Sequence, residues 1–181
     1  MKRICVFAGS STGNDPIFTE KTRELGKTFA EKGIELVYGG AKSGLMGVVA
    51  DAVLNHGGKV TGVMPTGLFE REIVHSRLTH LIEVKTMHER KAKMSELSDG
   101  FIALPGGFGT FEELFETVSW AQIGIHTKPL ALYNISDYYT PLVQLVEHSI
   151  RAGFVQKENR NLIIDESEPS ILLNQMLHRK V

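Results

Sequence analysis

Short apolar runs alternate with longer amphipathic segments along this chain of 181 residues. The apolar runs predict seven β-strands: Arg3–Ala8, Glu35–Tyr38, Lys59–Val63, Thr79–Lys85, Gly100–Leu104, Pro129–Tyr133 and Leu162–Asp165. The segments between them predict six helices near Ile17–Glu31, Leu45–His56, Met87–Ser98, Thr110–Ile123, Tyr139–Ala152 and Glu168–Arg179. This alternation is typical of βαβ units, so it predicts an α/β fold: a Rossmann-like, doubly wound parallel sheet in one domain, residues 1–181.

Composition narrows the class of protein. The net charge of −1 gives no reason to expect nucleic acid or an anionic membrane as a partner. The one cysteine, Cys5, lies in an apolar run and is expected in the core, so no disulfide forms within one chain. No run is long enough to cross a membrane. We therefore expect a cytoplasmic protein.

Glycine-rich loops follow the first two predicted strands, and in this architecture ligands bind at the carboxyl ends of strands. For Gly9 and Ser10, a phosphate or ribose site and an ordinary turn are about equally expected. The segment 39–47, which includes Gly44, matches neither a P-loop nor a dinucleotide fingerprint. Close approach of its backbone to a ligand is favoured over a plain turn. The long polar segment from Met64 to Leu78 is expected to shape a site.

The segment Pro105–Glu113 carries the strongest signal, because Gly106, Gly107 and Gly109 precede a predicted helix. Unpaired amides and the positive dipole end of a helix beginning near Thr110 suit a phosphate. Glu112 and Glu113 follow, which favours a site that acts on a phosphorylated substrate. As an alternative, Thr110 and Glu113 form a capping box, although this does not explain the glycines.

The periodicity of this helix predicts two opposite faces. The face expected on the sheet contains Phe111, Leu114, Phe115, Val118 and Gln122. The other face contains Glu113, Glu116, Trp120 and Ile123. Because tryptophan and isoleucine are unusual on a solvent face, we expect a second buried surface, most simply a homodimer interface near Trp120.

Arg90 lies within the apolar stripe of its predicted helix rather than on the polar face. A buried guanidinium needs a partner, so a carboxylate or phosphate is expected beside it. Alternatively, the stem packs while the charged head reaches water. Lys91 flanks the stripe, where its charge would add to the same pocket. The histidines are scattered without metal-ligand spacing, so no metal site is predicted.

Together, Pro105–Glu113 and the pair Arg90-Lys91 resemble the motifs of the Lonely Guy (LOG) family, the cytokinin riboside 5′-monophosphate phosphoribohydrolases. Members of this family are often labelled lysine decarboxylases. The resemblance covers most of the chain, including Tyr38–Gly47 and Ser119–Gln122. It departs at Ala41, where many members have glycine, and at Ser119, where plant members commonly have threonine. Both changes are small, so the activity is expected to persist.

The resemblance implies an enzyme, at least dimeric and without a cofactor, that hydrolyses a nucleoside 5′-monophosphate to a free base and ribose 5-phosphate. It assigns the catalytic pair to Arg90 and Glu113. It assigns substrate binding to Glu72, Arg90, Lys91, Gly106, Gly107, Phe108, Gly109, Thr110, Phe111, Glu112 and Ser119.

A consistent mechanism has Glu113 stabilising an oxocarbenium-like ribose and orienting water, while Glu112 binds ribose hydroxyls. The glycine amides and Thr110 would hold the phosphate. Arg90 would orient phosphate or ribose, or assist the leaving base. Two alternatives remain: a nucleotide or cofactor carrier without catalysis, and a pyridoxal-phosphate lysine decarboxylase, for which no lysine has a recognisable context.

Overall fold

The computed structural model describes residues 1–68 and 73–179, so Glu72 lies outside the described residues. The strands are β1 Arg3–Phe7, β2 Glu35–Tyr38, β3 Val60–Pro65, β4 His80–Val84, β5 Gly100–Ala103, β6 Leu130–Tyr133 and β7 Ile163–Glu166. The helices are α1 Pro16–Glu31, α2 Gly44–Asn55, α3 Met87–Leu97, α4 Phe108–Gln122, α5 Thr140–Arg151 and α6 Pro169–His178. The predicted strands and helices are confirmed, with their bounds shifted by at most two residues.

The strands form one parallel sheet in the order β4-β3-β2-β1-β5-β6-β7. The chain builds outward from β1 to β4 and then returns to place β5 on the other side of β1. This reversal opens a crevice outside the carboxyl ends of β1 and β5, where ligands bind in doubly wound sheets. The predicted Rossmann-like α/β class is therefore confirmed.

The sheet has a hydrophobic core on each face, and alternating side chains of a strand pack into one core or the other because successive residues point to opposite faces. In β1, Ile4 and Val6 belong to the core formed with α1, α2 and α6. Cys5 and Phe7 belong to the core formed with α3 and α4. Burial, reinforced by the charge of Glu113, raises the pKa of the Cys5 thiol well above its usual value. The predicted core role of Cys5 is confirmed.

The polar segment after β3, where the structure describes it, contacts the loop that follows β2. It begins with a 3-10 turn, Thr66–Leu68. Beyond the residues that are not described, the Lys42 amide donates to the Ile73 carbonyl at 2.8 Å. The His75 amide donates to the Gly40 carbonyl at 2.9 Å. This segment therefore fixes the β2–α2 loop at the carboxyl edge of the sheet.

Helix α4 differs in two details from its prediction. It begins at Phe108 with Gly107 as N-cap, which places Thr110 inside the first turn. The capping box of Thr110 and Glu113 is therefore wrong. The prediction that Phe115 and Gln122 pack on the sheet is also wrong, because the Phe115 side chain is 43% exposed and Gln122 is exposed.

Three residues of α4 are fully buried: Thr110, Leu114 and Thr117. The face that contains Glu113, Glu116 and Trp120 was expected to be buried against a second subunit, and these three side chains are already half-buried within one chain. These side chains border a small cleft with Lys91 of α3, because α3 packs beside α4. Among the described residues, no helix has the length and apolar character that a membrane span requires.

Candidate functional site

A cavity of about 260 Å³ lies at the switch point between β1 and β5. Gly9 and Ser10 line it from the loop after β1, and Gly39 from the loop after β2. Arg90 enters from α3, while the first turns of α4 contribute Gly107 to Thr110 together with Glu112 and Glu113. The structure thus brings most of the predicted site residues into one space.

The N-terminus of α4 opens into this cavity. The Phe111 amide donates to the Gly107 carbonyl at 3.0 Å, which is the first bond of the helical ladder. The preceding amides of Phe108, Gly109 and Thr110 have no carbonyl four residues back within the helix, and Gly107 has no side chain to cap them. These amides and the positive end of the helix dipole favour an anion at this position.

The loops after β1 and β5 are packed directly against each other. The Gly9 amide donates to the Pro105 carbonyl at 3.1 Å. A Cβ at Gly106 would lie 2.1 Å from Thr110 Oγ1 and 2.9 Å from the Gly9 nitrogen. Gly106 is therefore required for packing behind the cavity, although the residue does not line it.

Arg90 is 5% exposed, and main-chain carbonyls hold its guanidinium. Its Nε donates to the Val63 carbonyl at 3.0 Å, and its Nη2 donates to the Gly39 carbonyl at 2.6 Å. A Cβ at Gly39 would lie 2.1 Å from Nη2, so only glycine leaves room for the guanidinium. Buried Arg90 is confirmed, and the alternative of a head that reaches solvent is wrong. The guanidinium and Glu113 line the same cavity.

Lys91 lies outside the cavity and forms ion pairs with Glu112 and Glu116 of α4. Burial alone would lower the pKa of Lys91, but hydrogen bonds and charge from both carboxylates outweigh it and raise that pKa. This pairing reduces the negative charge that Glu112 presents beside the open amides of α4. The role of Glu116 was missed, although its spacing of four residues from Glu112 predicts a shared helix face.

The N-terminus of α2 is occupied by protein. The Leu45 amide donates to the Ser11 carbonyl at 3.3 Å, and the Met46 amide to the Gly9 carbonyl at 3.4 Å. Gly44 has a φ of +57°, and a Cβ there would lie 2.2 Å from the carbonyl carbon of Ser10. Gly44 therefore supports the loop after β1 rather than lining the cavity.

Two further candidates lie apart from the cavity. Phe111 packs beside the buried core under α4. Ser119 is exposed farther along the same helix. Conversely, Met46, Met87 and Met94 line the cavity although no site role was predicted for them. No group of three or more potential metal ligands occurs within residues 1–68 and 73–179.

This geometry defines a Rossmann-like protein whose ligand site lies at the switch point of its sheet. A family model described as "Possible lysine decarboxylase" matches residues 46–176. Two similar relatives are the "Probable cytokinin riboside 5′-monophosphate phosphoribohydrolase LOGL2" of Oryza sativa subsp. japonica and the "Cytokinin riboside 5′-monophosphate phosphoribohydrolase LOG7" of Arabidopsis thaliana. Both are 45% identical over 97% of this chain, which spans 72% and 81% of their respective lengths. The chain belongs to the LOG family.

A solved structure with the same fold is the molybdenum cofactor binding protein from the phototrophic bacterium Rippkaea orientalis. It aligns with a TM-score of 0.71 over 98% of this chain and 96% of that protein. The sequence identity is 21%, so this likeness shows the fold alone.

Proposed function

We propose that this protein hydrolyses the N-glycosidic bond of nucleoside 5′-monophosphates, cytokinin or purine, and releases the free base and ribose 5-phosphate. The observation that carries the proposal is one cavity in which the open N-terminus of α4 adjoins Arg90 and Glu113. Relatives named cytokinin riboside 5′-monophosphate phosphoribohydrolases support it at 45% identity. The substrate's phosphate, ribose and glycosidic bond each need a different kind of group, and the cavity offers all three.

The phosphate would bind at the first turn of α4. Phe108, Gly109 and Thr110 line the cavity, and their amides precede the first bond of the helical ladder. The helix dipole adds a favourable partial positive charge for the phosphate. Binding there anchors the 5′ end and fixes the ribose relative to the acids that follow along α4.

The ribose would then lie between Arg90 and Glu113, which we assign as the catalytic residues. As the bond to the base breaks, its electron pair leaves with the base, which takes up a proton, and positive charge develops on the ribose. The carboxylate of Glu113 would stabilise that charge and orient the water that attacks the anomeric carbon. The fixed guanidinium of Arg90 would orient the phosphate or ribose, or assist the departing base.

Glu112 would bind ribose hydroxyls at the rim of the cavity, where its side chain is 57% exposed. Lys91 would act through Glu112 and Glu116, since it pairs with both and does not line the cavity. Gly9 and Ser10 would complete the wall opposite α4. Binding roles for Glu72, Phe111 and Ser119 stay predictions of the resemblance.

The alternative of a carrier without catalysis is not favoured. The relatives named for phosphoribohydrolase activity are 45% identical to this chain over the aligned residues, whereas the cofactor-binding protein is 21% identical. A carrier needs an anion site but has no requirement for an acid and a guanidinium in the same cavity.

We also propose that the protein is a homodimer with Trp120 near the interface. Support comes from exposed apolar side chains beyond Trp120: Ile123 is 69% exposed and Ile125 is 62% exposed. Phe115, on the same helix, is also exposed. Trp120→Glu and Ile123→Glu should each yield monomers in sedimentation equilibrium. An unchanged mass for both variants would contradict this interface.

The hydrolase is tested by incubating the full chain with adenosine 5′-monophosphate, an N6-substituted analogue, adenosine and lysine. We expect free base and ribose 5-phosphate in equal amounts from both nucleotides. Adenosine should react far more slowly because it lacks the anchoring phosphate. Nucleotide binding without product would contradict the proposal and support a carrier, and cadaverine from lysine would support a decarboxylase.

A further inference from the structure

Two tyrosines from the loop between β6 and α5 hydrogen-bond the carbonyls on either side of Pro105. The Tyr138 hydroxyl donates to the Gly106 carbonyl. The fully buried Tyr139 hydroxyl donates to the Leu104 carbonyl at 2.6 Å. The sequence assigned neither tyrosine to the site, and the proposed mechanism uses neither.

The loop that carries them has an uncommon backbone. Ser136 and Asp137 have φ angles of 51° and 61°, in the left-handed region that residues other than glycine seldom adopt. Asn134 holds the loop in this shape through two hydrogen bonds. Its side-chain Oδ1 accepts from the main-chain amide of Tyr139 at 2.6 Å, and its main-chain amide donates to the Glu166 carbonyl at 2.9 Å. Such conformations persist when surrounding contacts determine them, and they are frequent near functional sites.

The bond from Tyr138 controls the direction of an amide. The Gly106 carbonyl and the Gly107 N–H belong to one peptide unit, and no cis peptide bonds occur among the described residues. In a trans peptide the C=O and N–H point in opposite directions. Since Tyr138 binds the carbonyl, the Gly107 N–H is directed away from Tyr138, and Gly107 lines the cavity.

We propose that Tyr138 is a positioning residue for the phosphate site: it directs the Gly107 N–H as a fourth donor beside the three free amides of α4. Its ring is held for this task, because it packs edge-on against Phe18 of α1, with ring centroids 6.0 Å apart. Tyr139 packs edge-on against its other side, with centroids 5.0 Å apart. The inference rests on the proposed function, since it assumes that a phosphate binds there.

The chain supplies two matched controls. Tyr139 binds the Leu104 carbonyl, whose peptide unit continues into Pro105 and therefore contains no N–H to direct. The buried Tyr133 hydroxyl has no hydrogen-bond partner within the described part of the chain. Loss of the hydroxyl from Tyr139 should affect stability alone, and loss of the hydroxyl from Tyr133 should affect neither stability nor binding.

The test is calorimetric titration of the full chain with ribose 5-phosphate, for the wild type and for Tyr138→Phe, Tyr139→Phe and Tyr133→Phe. We expect Tyr138→Phe to weaken binding about tenfold, the loss expected for one hydrogen bond to a charged oxygen. Its KM for nucleotide should rise by the same factor with kcat little changed. Tyr139→Phe should lower the melting temperature while binding ribose 5-phosphate as the wild type does.

Equal affinities for the wild type and Tyr138→Phe would overturn the inference, even where the wild type releases base and the proposed function holds. Equal losses of affinity in Tyr138→Phe and Tyr139→Phe would also overturn it, because both bonds would then only support the loop. A wild type that binds ribose 5-phosphate and releases no base contradicts the proposed function but leaves the inference standing. A wild type without measurable affinity for ribose 5-phosphate overturns the inference, whereas the proposed function is decided separately by base release.

Discussion

Helices α2 and α4 begin in the same way and serve different purposes. Each follows a strand of the sheet through a glycine-rich loop, and neither has a side-chain cap. At α2, carbonyls of Gly9 and Ser11 accept from the amides of the first turn. At α4, the residues of the first turn line a cavity. We therefore propose the anion site at α4, because backbone carbonyls already accept from the first amides of α2.

The residues that come next reinforce this difference. The fifth and sixth positions of α4 are Glu112 and Glu113, whereas those of α2 are Val48 and Val49. The apolar pair belongs to a helix that is packed on the sheet, and Val49 is fully buried. The acidic pair borders the cavity. We therefore interpret α2 as structural and propose that α4 combines an anion site with acids placed for catalysis.

The largest expected effect is the loss of turnover on substitution of Glu113, the acid of α4 whose counterpart in α2 is Val49. We expect Glu113→Gln to lower kcat/KM for nucleotide about 10³-fold or more, about 4 kcal/mol, since it removes the charge that faces the developing cation. The measurement is release of free base. Glu96→Gln is the control, because Glu96 pairs with Lys93 on the surface of α3. Turnover of Glu113→Gln within tenfold of the wild type would remove the catalytic distinction between the two helices.

A glycine of α2 should control stability. A Cβ at Gly47 would lie 1.9 Å from the Lys42 carbonyl oxygen, a backbone atom that cannot move aside alone. We expect Gly47→Ala to lower the free energy of unfolding by about 3 kcal/mol, although alanine ordinarily favours a helix. Urea denaturation measures this change. Gly67→Ala serves as the control because a Cβ there meets no atom of the described residues within 4 Å.

A glycine of α4 should control binding instead. A Cβ at Gly109 would meet no atom of residues 1–68 and 73–179 within 4 Å, and Gly109 lines the cavity. We expect Gly109→Ala to weaken nucleotide binding about tenfold, about 1.4 kcal/mol, while the midpoint of urea denaturation stays within error of the wild type. If Gly109→Ala binds normally and unfolds more easily, the first turn of α4 is structural, as that of α2 is.

The smallest expected effect concerns the acid that α2 does carry. The Oδ1 atom of Asp51 lies 3.1 Å from Nε2 of His75, and the same carboxylate forms an ion pair with Arg77. Burial alone would raise the pKa of Asp51, but these two partners outweigh it and lower that pKa below its usual value. The stabilisation is therefore complete above the unfolded pKa, near 3.9, and is lost as pH falls through the folded pKa.

Because Asp51 is partly exposed and water screens the pair, we expect Asp51→Asn to cost about 0.5 kcal/mol at pH 7. Urea denaturation of wild type and variant should differ at pH 7 and converge towards pH 3. Base release by the variant should match the wild type. A difference in stability that grows on acidification would contradict the sign of this linkage.

Local patterns in the sequence determined much of the fold. Alternating apolar residues such as Ile4, Cys5 and Val6 need only the pleat of a strand to reach opposite cores, so the strands and helices were predictable. The site loops were also predictable, because parallel strands bring their carboxyl ends to one edge. The position of Arg90 followed from its place in an apolar stripe.

Contacts between distant segments were not predictable in this way. Nothing near Gly44 indicates that the carbonyls of Gly9 and Ser11 occupy the first amides of α2, because that depends on how two loops meet. The half-buried face of α4 with Trp120 depends on the position of α3. The bond from Tyr138 to Gly106 joins residues 32 positions apart, and no local periodicity reports it.

The contrast between the two helices can be observed residue by residue in an amide NMR titration of the wild-type chain with ribose 5-phosphate. We expect saturable shifts of the Gly107, Phe108, Gly109 and Thr110 amides, and little change for those of Leu45 and Met46. Larger shifts at Leu45 and Met46, or none at Gly107 to Thr110, would contradict the claim that α4, and not α2, holds the phosphate.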